Sequence, residues 1–207
     1  MIERMLDLSI IENQNRLDRS EVRLKELLKD QITALEMEAE VVLLNPTQID
    51  SRNASGGPQP GPDLDKPRRS DPTETIPEHS AGSGSSGESF AVAGDPFLLG
   101  RAFSNVLRNA LEFCGQGKIR CSFWMEGDKV FLEVFNPGKP VPDYALNRIF
   151  ERFYSLPRPN TGKKSTGLGL PFVREVMELH GGSVELENAP DGSGVTVRLI
   201  FPRLLSQ

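Results

Sequence analysis

The feature that most limits how this chain folds is a break in its apolar pattern over residues 45–89. Pro, Gly, Ser, Asp and Thr dominate this stretch, and its bulky aliphatic side chains are only Ile49, Leu64 and Ile76. Such a segment buries too little apolar surface to offset the entropy lost on ordering it. Its Gly-Ser-Gly-Ser-Ser-Gly run at 82–87 is typical of a flexible linker. We therefore expect a disordered, low-complexity insertion, with a core built from the chain on either side.

Charge and cysteine usage argue against several classes of function. The 207-residue chain carries a formal net charge of −5, which argues against a nucleic-acid partner or a membrane-surface footprint. The sequence shows no signal peptide and no apolar run of membrane-spanning length. Cys114 and Cys121 match no metal-binding spacing, so reduced thiols are expected. The sequence predicts a cytoplasmic fragment that makes no membrane contact of its own. Whether it belongs to a longer parent protein anchored in the inner membrane is left open by the sequence.

The region before the insertion predicts two helices and two short strands. Residues 1–19 are expected to form a helix whose wide apolar stripe needs a cover, either another helix or a second copy of the chain. Residues 21–24 are a candidate strand. An amphipathic helix is expected from Leu24 to near Ala39, and the apolar run 41–44 is expected to be a buried strand.

The region after the insertion predicts helices that alternate with hairpin-connected strands. The expected elements are a strand at 90–93, a helix after Asp95, a hairpin of strands at 119–123 and 130–134 turning at 126–128, a short helix at 146–150, a helix from Gly167 to the glycines 181–182, and strands around 184–186 and 195–201. This order predicts a two-layer α/β sandwich with a mixed sheet over residues 20–203, followed by a tail at 204–207.

Two asparagines distinguish the helix after Asp95 from an ordinary core helix. Asp95 suits the N-cap, and Pro96 suits the first helical position. Asn105 and Asn109 lie four residues apart and hence on one face of this helix. Asparagine is a poor helix former, so two of them on one face indicate either solvated surface or a functional role.

Three features in a fixed order carry the functional prediction. They are Asn105-x-x-x-Asn109 on a helix, Asn136-Pro-Gly-Lys-Pro140 after a strand, and Arg148-Ile-Phe-Glu-Arg-Phe-Tyr154 followed by a polar loop and Gly167-Leu-Gly-Leu170. Each feature alone has a plain explanation, such as a surface patch or a turn. Together they resemble the N, G1, F and G2 boxes of the ATP-binding catalytic domains of sensor histidine kinases. The run from Phe150 to Arg158 looks most like the carbon-source-responsive, CreC-type members.

This resemblance implies the left-handed ATP-binding sandwich of that family, with ATP and Mg²⁺ as cofactors. It implies that Asn109 completes the Mg²⁺ shell between the nucleotide phosphates, with Asn105 beside it in the same catalytic site. A neutral oxygen ligand suits a Mg²⁺ ion that already carries phosphate charge. Gly167 and Gly169 are expected to let backbone N–H groups approach phosphate oxygens at a helix N-terminus.

The resemblance extends the ATP site to further positions. Lys163 and Lys164 lie in what corresponds to the family's mobile lid, and they either reach the γ-phosphate or belong to a solvated basic loop. Phe150 and Phe153 are included and are expected to pack the base of the lid. The other implied ATP-binding positions are Asn136, Gly138, Thr166, Leu168 and Leu170.

A missing glutamate and a missing histidine shape the expected reaction. Related ATPases of the gyrase, mismatch-repair and chaperone type carry a water-activating glutamate at the position of Asn105, so phosphoryl transfer to a protein is favoured over hydrolysis. His79 lies in the insertion and His180 at a helix stop where it suits capping. The acceptor histidine is therefore expected on a helical hairpin that lies mostly before Met1. Residues 1–19 then form the end of that dimerisation hairpin, and the implied partners are a second copy of the chain and a response-regulator receiver domain.

Three departures from the family pattern bear on nucleotide affinity. The acid that binds the adenine amino group in the family is Asn136 here, a frequent lysine is Glu112, and a frequent arginine is Ser155. An asparagine can turn its oxygen or its N–H₂ group toward a base and lacks the charge of a carboxylate. The sequence thus predicts weak ATP binding with a small preference over GTP.

Two alternatives to a sensor kinase stay open at this point. One is a degenerate nucleotide-binding pseudokinase that acts as an interaction module. The other is a serine kinase of the anti-sigma-factor type, which shares the fold. Residues 1–19 argue against the serine kinase, because a leading dimerisation helix belongs to sensor kinases.

Overall fold

The computed structural model describes residues 17–43 and 90–204, which form seven strands and four helices. The strands are β1 (Ser20–Arg23), β2 (Ala39–Leu43), β3 (Ala91–Gly94), β4 (Ile119–Glu126), β5 (Lys129–Pro137), β6 (Ser183–Asn188) and β7 (Gly194–Pro202). The helices are α1 (Leu24–Ala34), α2 (Pro96–Phe113), α3 (Asp143–Leu146) and α4 (Gly169–Leu179). The expected insertion at 45–89 and most of the expected helix at 1–19 lie outside the described residues. Residues 17–19, which are described, are not helical.

Strand pairing confirms the predicted mixed sheet. Five strands lie in the order β2-β4-β5-β7-β6, with β2 parallel to β4 and every other pair antiparallel. β1 and β3 pair separately as a two-stranded antiparallel sheet. The β4–β5 hairpin turns at Gly127 and Asp128, as the alternating pattern predicted. The fold is therefore the expected two-layer α/β sandwich.

One face of the five-stranded sheet packs against the helices. Cys121 and Phe123 of β4, Leu132 of β5 and Leu199 of β7 are fully buried in the same hydrophobic cluster as Phe103 of α2. Burial raises the pKa of the Cys121 thiol to about 12, so this thiol stays neutral and unreactive. The alternation of buried and partly exposed residues along β5 follows from the two-residue period of a strand.

The opposite face of the sheet carries an aromatic pair and an ion-pair network. Trp124 and Phe131 stack with ring centroids 4.9 Å apart and ring planes within 3°. Arg198 lies over Trp124 and forms ion pairs with Glu133 at 3.0 Å and Glu187 at 2.9 Å. Trp124 is only 6% exposed. This face is thus covered by its own side chains.

Helix α2 begins as its sequence predicted. Asp95 is the N-cap, and its carboxylate accepts hydrogen bonds from the backbone N–H groups of Phe97 and Leu98 at 3.0 and 3.1 Å. The helix packs against α1 on one side and α4 on the other. It is an 18-residue helix; no helix in residues 17–43 and 90–204 is long and apolar enough to cross a membrane.

The predicted end of α1 near Ala39 is wrong, because the helix stops at Ala34. Glu36 adopts a left-handed backbone with φ of 50°, its N–H donates to the Thr33 carbonyl, and the Met37 N–H donates to the Ile32 carbonyl. These two bonds form a Schellman motif, which usually places glycine where Glu36 lies. Since no glycine marks the stop, the apolar periodicity alone predicted a longer helix.

The short helix predicted at 146–150 is also misplaced. Helix α3 covers Asp143–Leu146, and residues 147–150 form turns. The Ile149 N–H still donates to the Ala145 carbonyl, and both side chains are buried. A single helical turn gives too short an apolar period for its bounds to be read from sequence.

His180 ends α4 and joins three parts of the fold. Its Nε2 accepts the Asp95 backbone N–H at 2.9 Å, and its Nδ1 lies 2.6 Å from the Val176 carbonyl oxygen, to which it donates. The Arg19 guanidinium donates to the Leu179 carbonyl at 2.9 Å, so the segment before β1 meets the same corner. His180 is 4% exposed, and burial lowers its pKa. The ring is therefore a neutral structural group.

Candidate functional site

A cavity of about 430 Å³ opens beside α2, a volume typical of small-molecule sites. Its walls come from α2, the end of β5, the start of β7, β6 and the chain between β5 and α4. The polar and charged residues that line it are Asn109, Asn136, Lys139, Tyr144, Tyr154, Ser155, Arg158 and Ser165.

One wall of the cavity is built on strands, and we call it the strand wall: Asn136, Leu186, Val195 and Val197. Asn136 of β5 is the register partner of Val195 of β7. Asn136 is 5% exposed, and its Nδ2 has no hydrogen-bond partner within the described residues. A buried amide without a partner is rare and unfavourable. The strand wall therefore offers one free polar group within an apolar surface.

The facing chain is built on loops and the start of α4, and we call it the loop wall: residues 154–159, 165, 167 and 169. Asn109 of α2 lines the cavity together with Gly169. A Cβ at Gly169 would lie 3.1 Å from Asn105 Oδ1 and 3.9 Å from Asn109 Nδ2. Both asparagine amides thus lie near the N-terminus of α4. Asn105 is 8% exposed, and its Nδ2 donates to the Arg101 carbonyl at 3.0 Å.

Gly167 holds the loop wall together. Its φ is +67°, and a Cβ there would lie 2.5 Å from both the Phe153 carbonyl carbon and the Tyr154 carbonyl oxygen. Its own carbonyl accepts the Phe153 N–H at 2.9 Å. Only glycine combines this backbone conformation with this close approach. The predicted F and G2 boxes are therefore in direct backbone contact.

The chain between these boxes, residues 155–165, forms a lid that folds back on itself. The Ser155 hydroxyl donates to the Ser165 carbonyl, and the Arg158 N–H donates to the Lys163 carbonyl, both at 3.0 Å. Pro157 and Lys164 form a β-bridge. The Arg158 side chain turns toward α2, where its Nη2 lies 2.7 Å from Glu112 Oε1.

The structure brings five of the predicted site residues onto the cavity surface. They are Asn109, Asn136, Gly167, Gly169 and Leu170. They derive from three segments distant in sequence, so the cavity unites the motifs that carried the functional prediction.

The remaining predicted site residues lie behind or outside the cavity wall. They are Asn105, Gly138, Phe150, Phe153, Lys163, Lys164, Thr166 and Leu168. Leu168 is 2% exposed in the core, Phe153 is 69% exposed, and Lys163 and Lys164 are exposed on the lid. A Cβ at Gly138 would lie 2.7 Å from the Phe113 carbonyl oxygen, so this glycine serves the close approach of β5 to the end of α2. Their roles at the nucleotide stay predictions.

The protein-family comparison agrees with this arrangement. The model described as "Histidine kinase-, DNA gyrase B-, and HSP90-like ATPase" matches residues 94–205. This range includes every element that lines the cavity. The chain belongs to this family. The predicted resemblance and fold class are confirmed.

Individual relatives point to the sensor-kinase branch of the family. Sensor protein CreC of Escherichia coli K12 is 51% identical over 113 residues, which cover 54% of this chain and 23% of CreC. A mycobacterial sensor histidine kinase, MprB, has a similar structure with a TM-score of 0.59 and 19% identity, covering 90% of this chain and 99% of the MprB chain. Full-length ShkA, solved in complex with AMPPNP, has a TM-score of 0.61 and 18% identity, covering 99% of this chain and 36% of that chain. This chain therefore spans less than a quarter of the length of CreC. The two structural matches, at 19% and 18% identity, support the fold alone.

Several residues of the cavity escaped the sequence analysis, among them two tyrosines and an arginine. Tyr144 and Tyr154 line the cavity, as does Arg158. Tyr154 and Arg158 lie in the run that resembles CreC-type kinases, but no periodicity fixes which way a side chain in an irregular loop points. Tyr144 is 71% exposed at the start of α3, and nothing in the sequence around it marks a site.

Proposed function

We propose that this chain is the ATP-binding catalytic part of a two-component sensor histidine kinase and transfers the ATP γ-phosphate to a histidine outside the chain. The acceptor is a helical hairpin, and the phosphate then passes to a response-regulator receiver domain. The observation that carries this proposal is the cavity itself, where Asn109, Gly167 and Gly169 meet at the start of α4. The AMPPNP complex of ShkA supports a nucleotide as ligand.

The residues around the start of α4 suit a triphosphate. Backbone N–H groups at the first turn of a helix have no partner inside the helix, and the helix dipole favours an anion there. Gly167 and Gly169 have no side chains to keep phosphate oxygens away from these donors. The donor set also fits Mg²⁺, since two neutral amides lie beside the expected phosphates and the phosphates supply the negative ligands. When bound with ATP, Mg²⁺ neutralises phosphate charge.

The proposal that the γ-phosphate is transferred to a protein, and that ATP is not hydrolysed by water, rests on Asn105. Its amide is neutral at all relevant pH values and cannot take a proton from water as a carboxylate can. Its Nδ2 is engaged with the Arg101 carbonyl, which holds the amide in place. The pair Asn105 and Asn109 can therefore position phosphates, while activation of the nucleophile is left to the protein that brings the acceptor histidine.

The acceptor is proposed outside this chain because His180, the single histidine among the described residues, is unsuited to the role, and the other histidine, His79, belongs to the low-complexity stretch of the sequence. Both of its ring nitrogens are engaged, and the ring is 4% exposed. A homodimer formed through the helix expected at 1–19 and a cytoplasmic location belong to the same proposal. They rest on the sequence analysis and on the resemblance to sensor kinases.

Transfer to a supplied hairpin tests the proposal. The chain is incubated with Mg²⁺, γ-labelled ATP and a separate acceptor hairpin from a CreC-type kinase, and acid-labile label on the hairpin is measured. We expect slow label transfer, because a separated acceptor is not prepositioned. Asn109→Ala should lower Mg·ATP affinity about tenfold to a hundredfold through loss of a metal ligand. Unchanged affinity in Asn109→Ala, or label on His180 of the isolated chain, contradicts the proposal.

A further inference from the structure

An ion pair joins the lid to α2 beside the asparagine site. Arg158 Nη2 lies 2.7 Å from Glu112 Oε1, and the two side chains are 27% and 25% exposed. Glu112 follows Asn109 by three residues, so the two side chains are neighbours on one face of α2. Arg158 itself lines the cavity with Asn109 and Gly169. Through Arg158, the pair thus reaches the wall where phosphates are proposed to bind.

Neither member of this ion pair has all of its hydrogen-bonding groups satisfied. Within the part of the chain that the structure describes, Arg158 Nε and Glu112 Oε2 are buried without a partner. A guanidinium has five N–H donors in a rigid fork, so one contact with Glu112 leaves donors for a second anion. Buried atoms of charged groups without partners are unfavourable. The pair is therefore incomplete as it stands.

The backbone around Arg158 fixes where its side chain starts. The Arg158 N–H is bonded to the Lys163 carbonyl, and its own carbonyl accepts the Gly162 N–H at 2.8 Å. Lys163 and Lys164, the other cations of the lid, are exposed and do not line the cavity. Arg158 is the lid cation that the structure places on the cavity surface.

We propose that Arg158 binds the phosphate chain of the nucleotide and that Glu112 is the positioning residue that holds its guanidinium at the cavity wall. This inference rests on the proposed function, since it needs a nucleotide in the cavity. A carboxylate three residues from Asn109 repels phosphates unless a cation neutralises it, and Arg158 is that cation. The remaining donors of the fork then face the phosphates, where charge-assisted bonds are strong.

Calorimetric titrations with ATP, ADP and AMP test this inference on four proteins: wild type, Arg158→Gln, Glu112→Gln and the double variant. We expect Arg158→Gln to weaken ATP binding about tenfold to a hundredfold, the range for hydrogen bonds to charged groups, and AMP binding much less. Glu112→Gln should weaken ATP binding in the wild-type background, because the Arg158 guanidinium is no longer held in place. In the Arg158→Gln background the same substitution should tighten ATP binding, because it removes a carboxylate that no cation neutralises.

The matched control is a second ion pair that does not line the cavity. Arg152 Nη2 lies 2.6 Å from Glu175 Oε1 of α4, so Arg152→Gln also breaks a short contact between a loop and a helix. It should leave the ATP-to-AMP affinity ratio unchanged. Arg158→Lys keeps the charge without the fork and should give an intermediate ratio, which keeps the test valid where the glutamine variant fails to fold.

The outcomes separate the inference from the function on which it rests. Two results would overturn the role of Arg158 and Glu112 and leave the proposed function standing. One is an equal loss of ATP affinity and AMP affinity in Arg158→Gln. The other is a Glu112→Gln change that shifts ATP affinity in the same direction in both backgrounds. Failure of the wild-type chain to bind ATP overturns both.

Discussion

The strand wall and the loop wall of the cavity hold their residues by different means. Asn136, Val195 and Val197 lie on β5 and β7, where a nine-residue antiparallel register fixes each position. The loop wall depends on Gly167, on a few backbone bonds of the lid and on one ion pair to α2. Sites on regular elements are positioned by many hydrogen bonds, whereas sites on loops depend on a few. Changes in the loop wall should therefore cost affinity broadly, and changes in the strand wall should alter selectivity.

The largest effect is expected from Gly167→Ala, which breaks the loop wall. The left-handed backbone alone costs an alanine about 1–2 kcal/mol, and its Cβ would also collide with backbone atoms at 2.5 Å. We expect the free energy of unfolding to fall by about 2 kcal/mol or more and ATP affinity to drop at least about tenfold. Chemical denaturation and calorimetry measure the two effects.

Gly127→Ala is the matched control for that variant. Gly127 has φ of 59° in the β4–β5 turn, and nothing lies within 4 Å of where its Cβ would be. The Gly127→Ala variant therefore has the cost of a left-handed alanine without a collision of its Cβ. Its ATP affinity should stay at the wild-type value. If both alanine variants behave alike, close packing at Gly167 does not matter to the site.

A smaller effect is expected from Asn136→Asp, which sharpens the strand wall. A carboxylate accepts a hydrogen bond from the adenine amino group and repels the guanine carbonyl, whereas the Asn136 amide can serve either base. We expect tighter ATP binding, and we expect the difference in binding free energy between ATP and GTP to widen by about 1–2 kcal/mol. Competition titrations measure the ratio, with Asn147→Asp as an exposed control for the added charge. An unchanged ratio would mean that Asn136 does not read the base.

Mild acid should destabilise the whole fold, and not one wall alone, through His180. Burial lowers the pKa of His180 below its unfolded value, so the unfolded chain binds more protons near neutral pH. The contribution of this ring to stability is complete above about pH 6.5 and is lost as pH falls, with a slope of at most about 1.4 kcal/mol per pH unit. Denaturation between about pH 7.5 and pH 5 should show this slope in wild type. A His180→Gln variant with the same slope would assign it to other groups.

No effect on either wall is expected from the insertion. Replacing residues 45–89 by a short Gly-Ser linker should leave ATP affinity unchanged, since closure entropy varies slowly with loop length. A large loss of affinity or of melting temperature would mean that this segment packs on the domain.

What the sequence could predict follows the same division between regular and irregular structure. The β4–β5 hairpin and the start of α2 were predictable because alternation and an Asp-Pro cap are local signals. The end of α1 was not, because Glu36 takes a conformation that usually marks glycine. In the site, motif spacing predicted Asn109, Gly167 and Gly169, all of which line the cavity.

The lid shows a feature that the sequence alone could not predict, namely which of its cations lines the cavity. The family resemblance drew attention to Lys163 and Lys164, yet Arg158 is the lid cation on the cavity surface. The direction of an arginine in a proline-flanked loop depends on a tertiary partner, Glu112, that lies 46 residues away. No local pattern contains that information.

The stacked aromatic pair on the far face of the sheet gives the protein a built-in optical probe. Trp124 is the one tryptophan of the chain, and it lies against Phe131 and under Arg198, on the face opposite the helices. Neither ring is part of the cavity lining. Indole emission should therefore follow the integrity of the central sheet during denaturation and stay constant during a nucleotide titration. The tyrosines at the cavity, Tyr144 and Tyr154, can then be followed separately by absorbance.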